Sequence, residues 1–382
     1  MKLVIADSDK WYAENLGNYI RAADGSRFNV SVFTRVSSIT DFFGTGGSGA
    51  DIFLASPDML PEDIPQPDAG TVFILGSGNT CDSNGRFPSI YKYQPADRLL
   101  SELMEKYLEK NPGAAFPLRS DKKAHVIQVF SPQGGSGKSV ISFFTALQYA
   151  RMGLRTLYLN IESISCANSF ICPAAGRESD FPKLLYYLKK YKKNLSHRVN
   201  SLKSYSSELK IYHFGQTCSS YELDETTAED MESLIQELKY SGLFDMVVLD
   251  ADSALSRRNA ASLCGSDRIV LVILQDAIGL KKLDNFCKEL SRVIPSAGTE
   301  ILDKSVPVVN RFSGGASKDD VRFNGRTVDF RIPYVQDIYT AGRGECPVNL
   351  NSSLNTYVKA LAASMLESLK LAPAGGYGNG HF

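Results

Sequence analysis

One run of glycines ending in Lys-Ser constrains this chain more than any other feature. Ser131-Pro132-Gln133-Gly134-Gly135-Ser136-Gly137-Lys138-Ser139 follows an apolar strand pattern over residues 125–130 and opens a helical pattern over residues 138–152. In a strand–loop–helix context the glycines let the backbone curl so that successive N–H groups point inward. The helix N-terminus adds its partial positive charge. Lys138 is then placed for outer phosphates and the Ser139 hydroxyl for magnesium. The first glycine of the usual G-x-x-x-x-G-K-[ST] pattern is replaced by Pro132. ATP and Mg2+ are the expected cofactors, with Gln133, Gly134, Gly135, Ser136, Gly137, Lys138 and Ser139 lining the phosphates.

A magnesium site of this kind needs a second oxygen ligand on a neighbouring strand. Residues 244–249 form an apolar stretch that ends in Asp250, so Ser139 and Asp250 are the expected metal residues.

The rest of the chain alternates strand and helix patterns, which implies parallel sheets covered on both faces. In the front part strands are expected at 3–6, 29–33, 51–55, 71–75 and 89–91, and helices at 11–22 and 96–108. Turn formers mark loops at 44–49 and 57–67. Residues 111–123 carry two prolines, a glycine and charges without an apolar period, and read as a linker. The expected organisation is a first domain over 1–110, a larger one over 124–371, and a tail over 372–382 too poor in apolar groups to fold alone. In the larger domain strands are expected at 155–160, 244–249, 268–274 and 306–309, and helices at 228–238, 281–293 and 354–369.

The 42 basic residues balance 42 acidic ones, so no global field draws the molecule to nucleic acid or an anionic membrane. No apolar stretch approaches the roughly 18–20 residues that span a bilayer, and Met1 leads straight into a strand pattern, so a cytoplasmic protein is expected. Seven cysteines without a Cys-x-x-Cys pair read as reduced thiols. The four histidines lack metal-ligand spacing. Lys183, Lys189, Lys190, Lys192, Lys193, Arg198 and Lys203 form a basic run without an acid. It is either a solvated helix packed through Leu and Tyr or a surface for an acidic partner, DNA or lipid phosphates.

Gln133-Gly134-Gly135-Ser136-Gly137-Lys138-Ser139 resembles the deviant Walker motif of the MinD/ParA group of P-loop ATPases, Lys-Gly-Gly-x-Gly-Lys-[Ser/Thr], in all but its first position. Three further segments resemble the group in the same order. Leu157-Tyr158-Leu159-Asn160-Ile161-Glu162 is similar to the strand whose Asp-x-Asp end holds the attacking water. Val308-Val309-Asn310-Arg311-Phe312 is similar to the segment whose Asn reads adenine, and Ile332-Pro333 to the loop packed on the base. The resemblance implies a nucleotide-sandwich homodimer, with Lys138, Asp250 and Glu162 as the catalytic candidates and Asn310, Arg311 and Pro333 around the base. In the group the first-position Lys reaches the partner's phosphates. Gln133 carries no charge there, which implies slow or absent hydrolysis.

The front domain resembles a response-regulator receiver, a flavodoxin-like parallel sheet, in its strand order, Asp7 and the late Tyr91-Lys92-Tyr93-Gln94-Pro95. The receiver's nucleophile position falls on Ser56 and its Lys position on Gln94, with Asp9 and Asp58 nearby, so phosphotransfer is not expected. A degenerate receiver joined to a MinD/ParA-like ATPase is the arrangement of the TadZ/CpaE family, which this chain resembles over nearly its whole length. That resemblance implies assembly or polar localisation of a tight-adherence (Flp) pilus or secretion machinery through protein partners at the inner face of the membrane. The alternatives are a ParA-like DNA partitioning ATPase, which the neutral charge balance disfavours, and a non-catalytic nucleotide-binding scaffold.

Overall fold

The computed structural model describes residues 1–24, 28–44, 49–60, 71–77, 87–111, 123–171, 180–190, 195–215, 220–314, 321–339 and 348–370. Nearly all of the expected linker, the tail, and most of the loops expected at 44–49 and 57–67 lie outside the described residues. A short 3-10 turn, Pro57–Met59, stands at the start of the second loop. The chain divides into two compact units, Met1–Phe116 and Pro117–Phe382.

In the first unit, strands β1 (Lys2–Ala6), β2 (Asn29–Phe33), β3 (Ile52–Ala55), β4 (Thr71–Gly76) and β5 (Ser89–Tyr91) form one sheet in the order β2-β1-β3-β4-β5. Every pairing is parallel, which is the flavodoxin-like order. Strands buried on both faces are apolar without alternation, as Ile52-Phe53-Leu54-Ala55 illustrates. Helices α1 (Lys10–Asp24) and α3 (Ala96–Lys110) cover one face through Leu16, Ile20, Leu99 and Leu103. No helix is expected between the strand at 29–33 and the loop at 44–49, yet α2 (Val36–Gly44) covers the other face through Ile39, with Phe42 and Phe43. Its Ser37-Ser38 start has weak helix propensity, and aromatic packing on Phe33 and Phe53 decides the matter.

The second unit is built on an eight-stranded sheet. Its strands are β6 (His125–Phe130), β7 (Thr156–Ile161), β8 (Ser204–Ser206), β9 (Ile211–His213), β10 (Met246–Ala251), β11 (Arg268–Leu274), β12 (Ser305–Phe312) and, after the small hairpin β13 (Arg322–Phe323) and β14 (Arg326–Thr327), β15 (Phe330–Pro333). The order is β15-β12-β11-β6-β10-β7-β9-β8, parallel except for the β8–β9 edge. The chain leaves β6 toward β7 on one side and later returns to β11 on the other. Its carboxyl end is therefore the switch point at which open α/β sheets bind ligands.

Helix α4 (Lys138–Arg151) is apolar on nearly every side, as a helix enclosed by protein must be. It packs between the sheet and α12 (Leu354–Ser368), where Gln148 Nε2 donates to Asn355 Oδ1 at 2.7 Å. On the opposite face lie α5 (Asp180–Lys190), α6 (Leu195–Leu202) and α8 (Ala228–Tyr240). The remaining helices are α7 (Ser220–Asp224), α9 (Arg257–Gly265), α10 (Ala277–Val293) and α11 (Gly298–Asp303). Period two decides what α4 meets. Tyr158 and Asn160 share one face of β7, with Glu162 just past its end, and Val248 and Asp250 the same face of β10, with Tyr158 and Val248 packed in the α4 core.

The basic run is only partly drawn into this packing. Lys189 pairs with Glu225 at 2.9 Å, Lys190 bonds the Tyr186 hydroxyl, and buried Arg198 lies 4.4 Å from the Tyr187 ring centre. Leu184, Leu185 and Leu188 are buried while Lys183, Lys189 and Lys190 are exposed, so α5 packs through its leucines and turns these lysines to solvent. Lys192 and Lys193 lie outside the described residues. Cys166, Cys264 and Cys287 are free thiols. Among the described residues no helix is long and apolar enough to cross a membrane.

Candidate functional site

The loop between β6 and α4 is shaped by two left-handed glycines, Gly135 at φ 70° and Gly137 at φ 87°. At Gly135 the conformation alone calls for glycine, since a Cβ would meet nothing within 4 Å. At Gly137 space is also lacking, because a Cβ would collide with Asn310 Nδ2. That amide donates to the Ser136 carbonyl at 2.7 Å and so braces the loop from β12. Gly137 caps α4 without a side chain, leaving the helix N-terminus open to an anion.

Lys138 and Ser139, on the first turn of α4, face the ends of β7 and β10. Register sets Asp250 opposite Asn160. The Lys138 ammonium, 7% exposed, donates to Glu162 Oε1 and, at 3.3 Å, to Asp250 Oδ1. The Ser139 hydroxyl donates to Glu162 Oε2 at 3.2 Å. Asn160 Nδ2 bridges the acids, donating to Asp250 Oδ2 at 2.8 Å and Glu162 Oε2 at 3.1 Å. Tyr158 closes the group with its hydroxyl on Asp250 Oδ2 at 3.1 Å.

Burial pushes the Asp250 carboxyl up to about 6; Lys138 opposes this and Glu162 adds to it. Burial pulls the Lys138 ammonium down, but Asp250 and Glu162 outweigh it and hold the group above its ordinary value, so it stays charged. The Cys166 thiol is pushed up by burial and by the same two carboxylates.

The donor set can be tested against the expected cofactors. One hydroxyl and two carboxylates are hard oxygen donors, which suit Mg2+ sharing its shell with phosphates and water. Among the described residues no cluster of three or more His, Cys, Asp or Glu side chains could hold a metal. The Ser136 hydroxyl is buried inside the loop without a protein partner, a polar atom left for a ligand. The residues fit Mg2+ with a nucleoside polyphosphate: Ser139 and Asp250 would hold the metal, and Lys138 and the loop amides the phosphates.

The other predicted residues are distributed as follows. Gln133 turns toward its own chain: its carboxamide oxygen is buried and lies 2.7 Å from where a Cβ on Gly279 would stand, at the start of α10. Asn310 engages the loop backbone, as described. Arg311 is exposed and left-handed, at φ 55°, where β12 bulges against β15. Pro333 ends β15 opposite Phe312. Of these last three residues only Asn310 touches the loop, while Glu162 and Asp250 meet Lys138 at its base. Tyr158 and Cys166 were missed. For Tyr158 the signal was present, since Tyr158 and Asn160 share one strand face, with Glu162 just past the strand's end.

In the first unit a lysine does reach the buried acid, but two residues before the expected position. Lys92 Nζ lies 2.9 Å from Asp7 Oδ1 and 2.8 Å from Asp7 Oδ2. Gln94 instead donates to the Tyr91 carbonyl and Glu102. Lys92, just past β5, is buried, and the Tyr12 ring lies 4.5 Å from its ammonium.

No family model matches the sequence, and no curated protein matches it. Solved structures do. The septum site-determining protein MinD of Pyrococcus horikoshii, complexed with Mg-ADP, shares 16% identity over 66% of this chain and 100% of its own, with a TM-score of 0.50. The second unit has the MinD/ParA P-loop fold. Also similar are a ParA family ATPase of Chlorobium tepidum, at 15% identity over 64% of this chain and 99% of its own (TM-score 0.49), and the MinC:MinD cell division complex of Aquifex aeolicus, at 16% over 67% and 100% (TM-score 0.49).

Proposed function

We propose that this chain is an ATP-binding protein of the MinD/ParA kind that works as a nucleotide-linked homodimer to localise or assemble a tight-adherence pilus or secretion machinery in the cytoplasm, at a cell pole. The observation that carries the nucleotide reading is the convergence of Lys138, Ser139, Glu162 and Asp250 beneath a left-handed glycine loop that opens a buried helix. The cellular role rests on the sequence resemblance to the TadZ/CpaE family.

Bound Mg2+ would supply a counter-charge to the phosphates. The protein's own part is as follows. The loop amides and the α4 N-terminus receive phosphate oxygens. Lys138 would contact the phosphates in place of its carboxylate partners, and Ser139 and Asp250 would hold the metal. Glu162, released from Lys138, is the group able to orient water. Asn310, Arg311 and Pro333 border the base. Gln133 supplies no cation and its side chain is directed at Gly279, so the protein holds ATP and turns it over slowly or not at all. The balance of 42 basic and 42 acidic residues gives no overall positive field for DNA, which disfavours a partitioning role.

The decisive experiment measures ATP binding by calorimetry and mass by light scattering for wild type and Lys138→Ala. ATP-dependent dimers that the substitution abolishes, with little phosphate release, are expected. A wild type that does not bind ATP would overturn the reading.

A further inference from the structure

Just beyond Glu162 and Asp250, the ends of β7 and β10 are joined by a second polar group. Ser163 donates to Asp252 Oδ2 from its backbone N–H at 3.1 Å and from its hydroxyl at 2.8 Å. Arg258, in the first turn of α9, donates from Nη2 to the same oxygen at 2.9 Å and to Ser163 Oγ at 3.3 Å. Its Nη1 lies 3.8 Å from Asp224 at the end of α7. Asn259, fully buried, donates to the carbonyls of Asp252 and Ala254 and fixes the turn between β10 and α9.

Arg258 stands in a place that fold stability alone does not favour. Its side chain is 6% exposed, and its Nε is buried without a partner. The cation also sits at the positive end of a helix whose first turn contains no acid. What it accomplishes there is a bridge. It neutralises Asp252, which would otherwise add a third negative charge beside Glu162 and Asp250. It also ties Ser163, the residue after Glu162, to the strand that carries Asp250.

We propose that Arg258 is a positioning residue for the metal–nucleotide site, acting through Asp252 and Ser163 to fix the spacing of Glu162 and Asp250 and thereby the strength with which Mg2+ is held beside the phosphates. The inference rests on the ATP reading above. Outer partners of metal-holding side chains commonly control metal affinity in this way.

The test titrates a fluorescent ATP analogue onto the full chain over a range of Mg2+ concentrations and in EDTA. Arg258→Lys keeps the charge but loses the planar fork that spans Ser163 and Asp252. Asp252→Asn removes the charge from a partly exposed site and keeps the test open if Arg258 variants fail to fold. Both are expected to raise the Mg2+ needed for half-maximal binding by about ten- to a hundredfold, with unchanged affinity in EDTA. Adding Arg258→Lys to Asp252→Asn should cost little more. Unchanged Mg2+ dependence in folded variants, or an equal loss with and without Mg2+, would overturn the inference while leaving the ATP reading intact. No analogue binding by wild type would instead sink the ATP reading, and the inference with it.

Discussion

Alanine at Gly137 should destabilise the second unit more than alanine at Gly135, by an amount that Asn310 controls. Both residues are left-handed, and each alanine incurs about 1–2 kcal/mol for that conformation. At Gly135 the account ends there, since a Cβ would have open space. At Gly137 the Cβ drives Asn310 Nδ2 off the Ser136 carbonyl, breaking a buried bond of 2.7 Å. A buried polar group left unpaired costs about 1–3 kcal/mol, which brings Gly137→Ala to about 2–5 kcal/mol in total. In an Asn310→Ala background the collision partner is gone, and the cost of Gly137→Ala should fall back to that of Gly135→Ala. Urea unfolding followed by circular dichroism gives the energies. Hydrogen-exchange mass spectrometry should place the change in β6 and α4 and leave β1 and β3 untouched. Equal costs for the two alanines, or a Gly137→Ala cost that Asn310→Ala does not relieve, would show that Asn310 does not set the demand for glycine at 137.

Three further outcomes are expected. Arg311→Gly removes an L side chain from a left-handed strand position, so the urea midpoint should rise, the relief of about 1–2 kcal/mol being partly offset by glycine's unfolded-state entropy; with Arg311 proposed beside the base, ATP affinity should fall in calorimetry. Lys92→Met leaves Asp7, 1% exposed, as an unpaired buried charge, and hydrogen exchange across β1 and β5 should report a loss of about 3–5 kcal/mol. Burial holds the His125 imidazole below its ordinary 6.5, with Asp267 opposing. The fold therefore favours neutral His125, and the stability this contributes is present above 6.5 and lost as pH falls below it. Urea midpoints across that range should decline more for wild type than for His125→Gln.

Much of the candidate site could be read along the chain, because its parts are local. A strand, a glycine run and Lys138-Ser139 specify a phosphate loop within fifteen residues of sequence, 125–139. Apolar stretches such as Met246-Val247-Val248-Leu249 in β10 specify strands covered on both faces. Where local signals were weak the reading faltered. Helix α2 depends on aromatic contacts with other elements, and the basic run could be a free surface or a packed face until its partners were in place.

Residue order alone specified parallel α/β architecture and a glycine loop opening a helix at Lys138-Ser139, since backbone conformation and period-two alternation are set by residues a few positions apart. Tertiary structure alone decided which groups share the site. Lys138 meets Glu162 across 24 positions and Asp250 across 112. Asn310 braces the loop across 174, and Lys92, not Gln94, reaches Asp7 across 85. Arg258 gathers Ser163 and Asp252 onto one point. These encounters follow from sheet order and from how tightly side chains are packed, and neither is written into any local pattern.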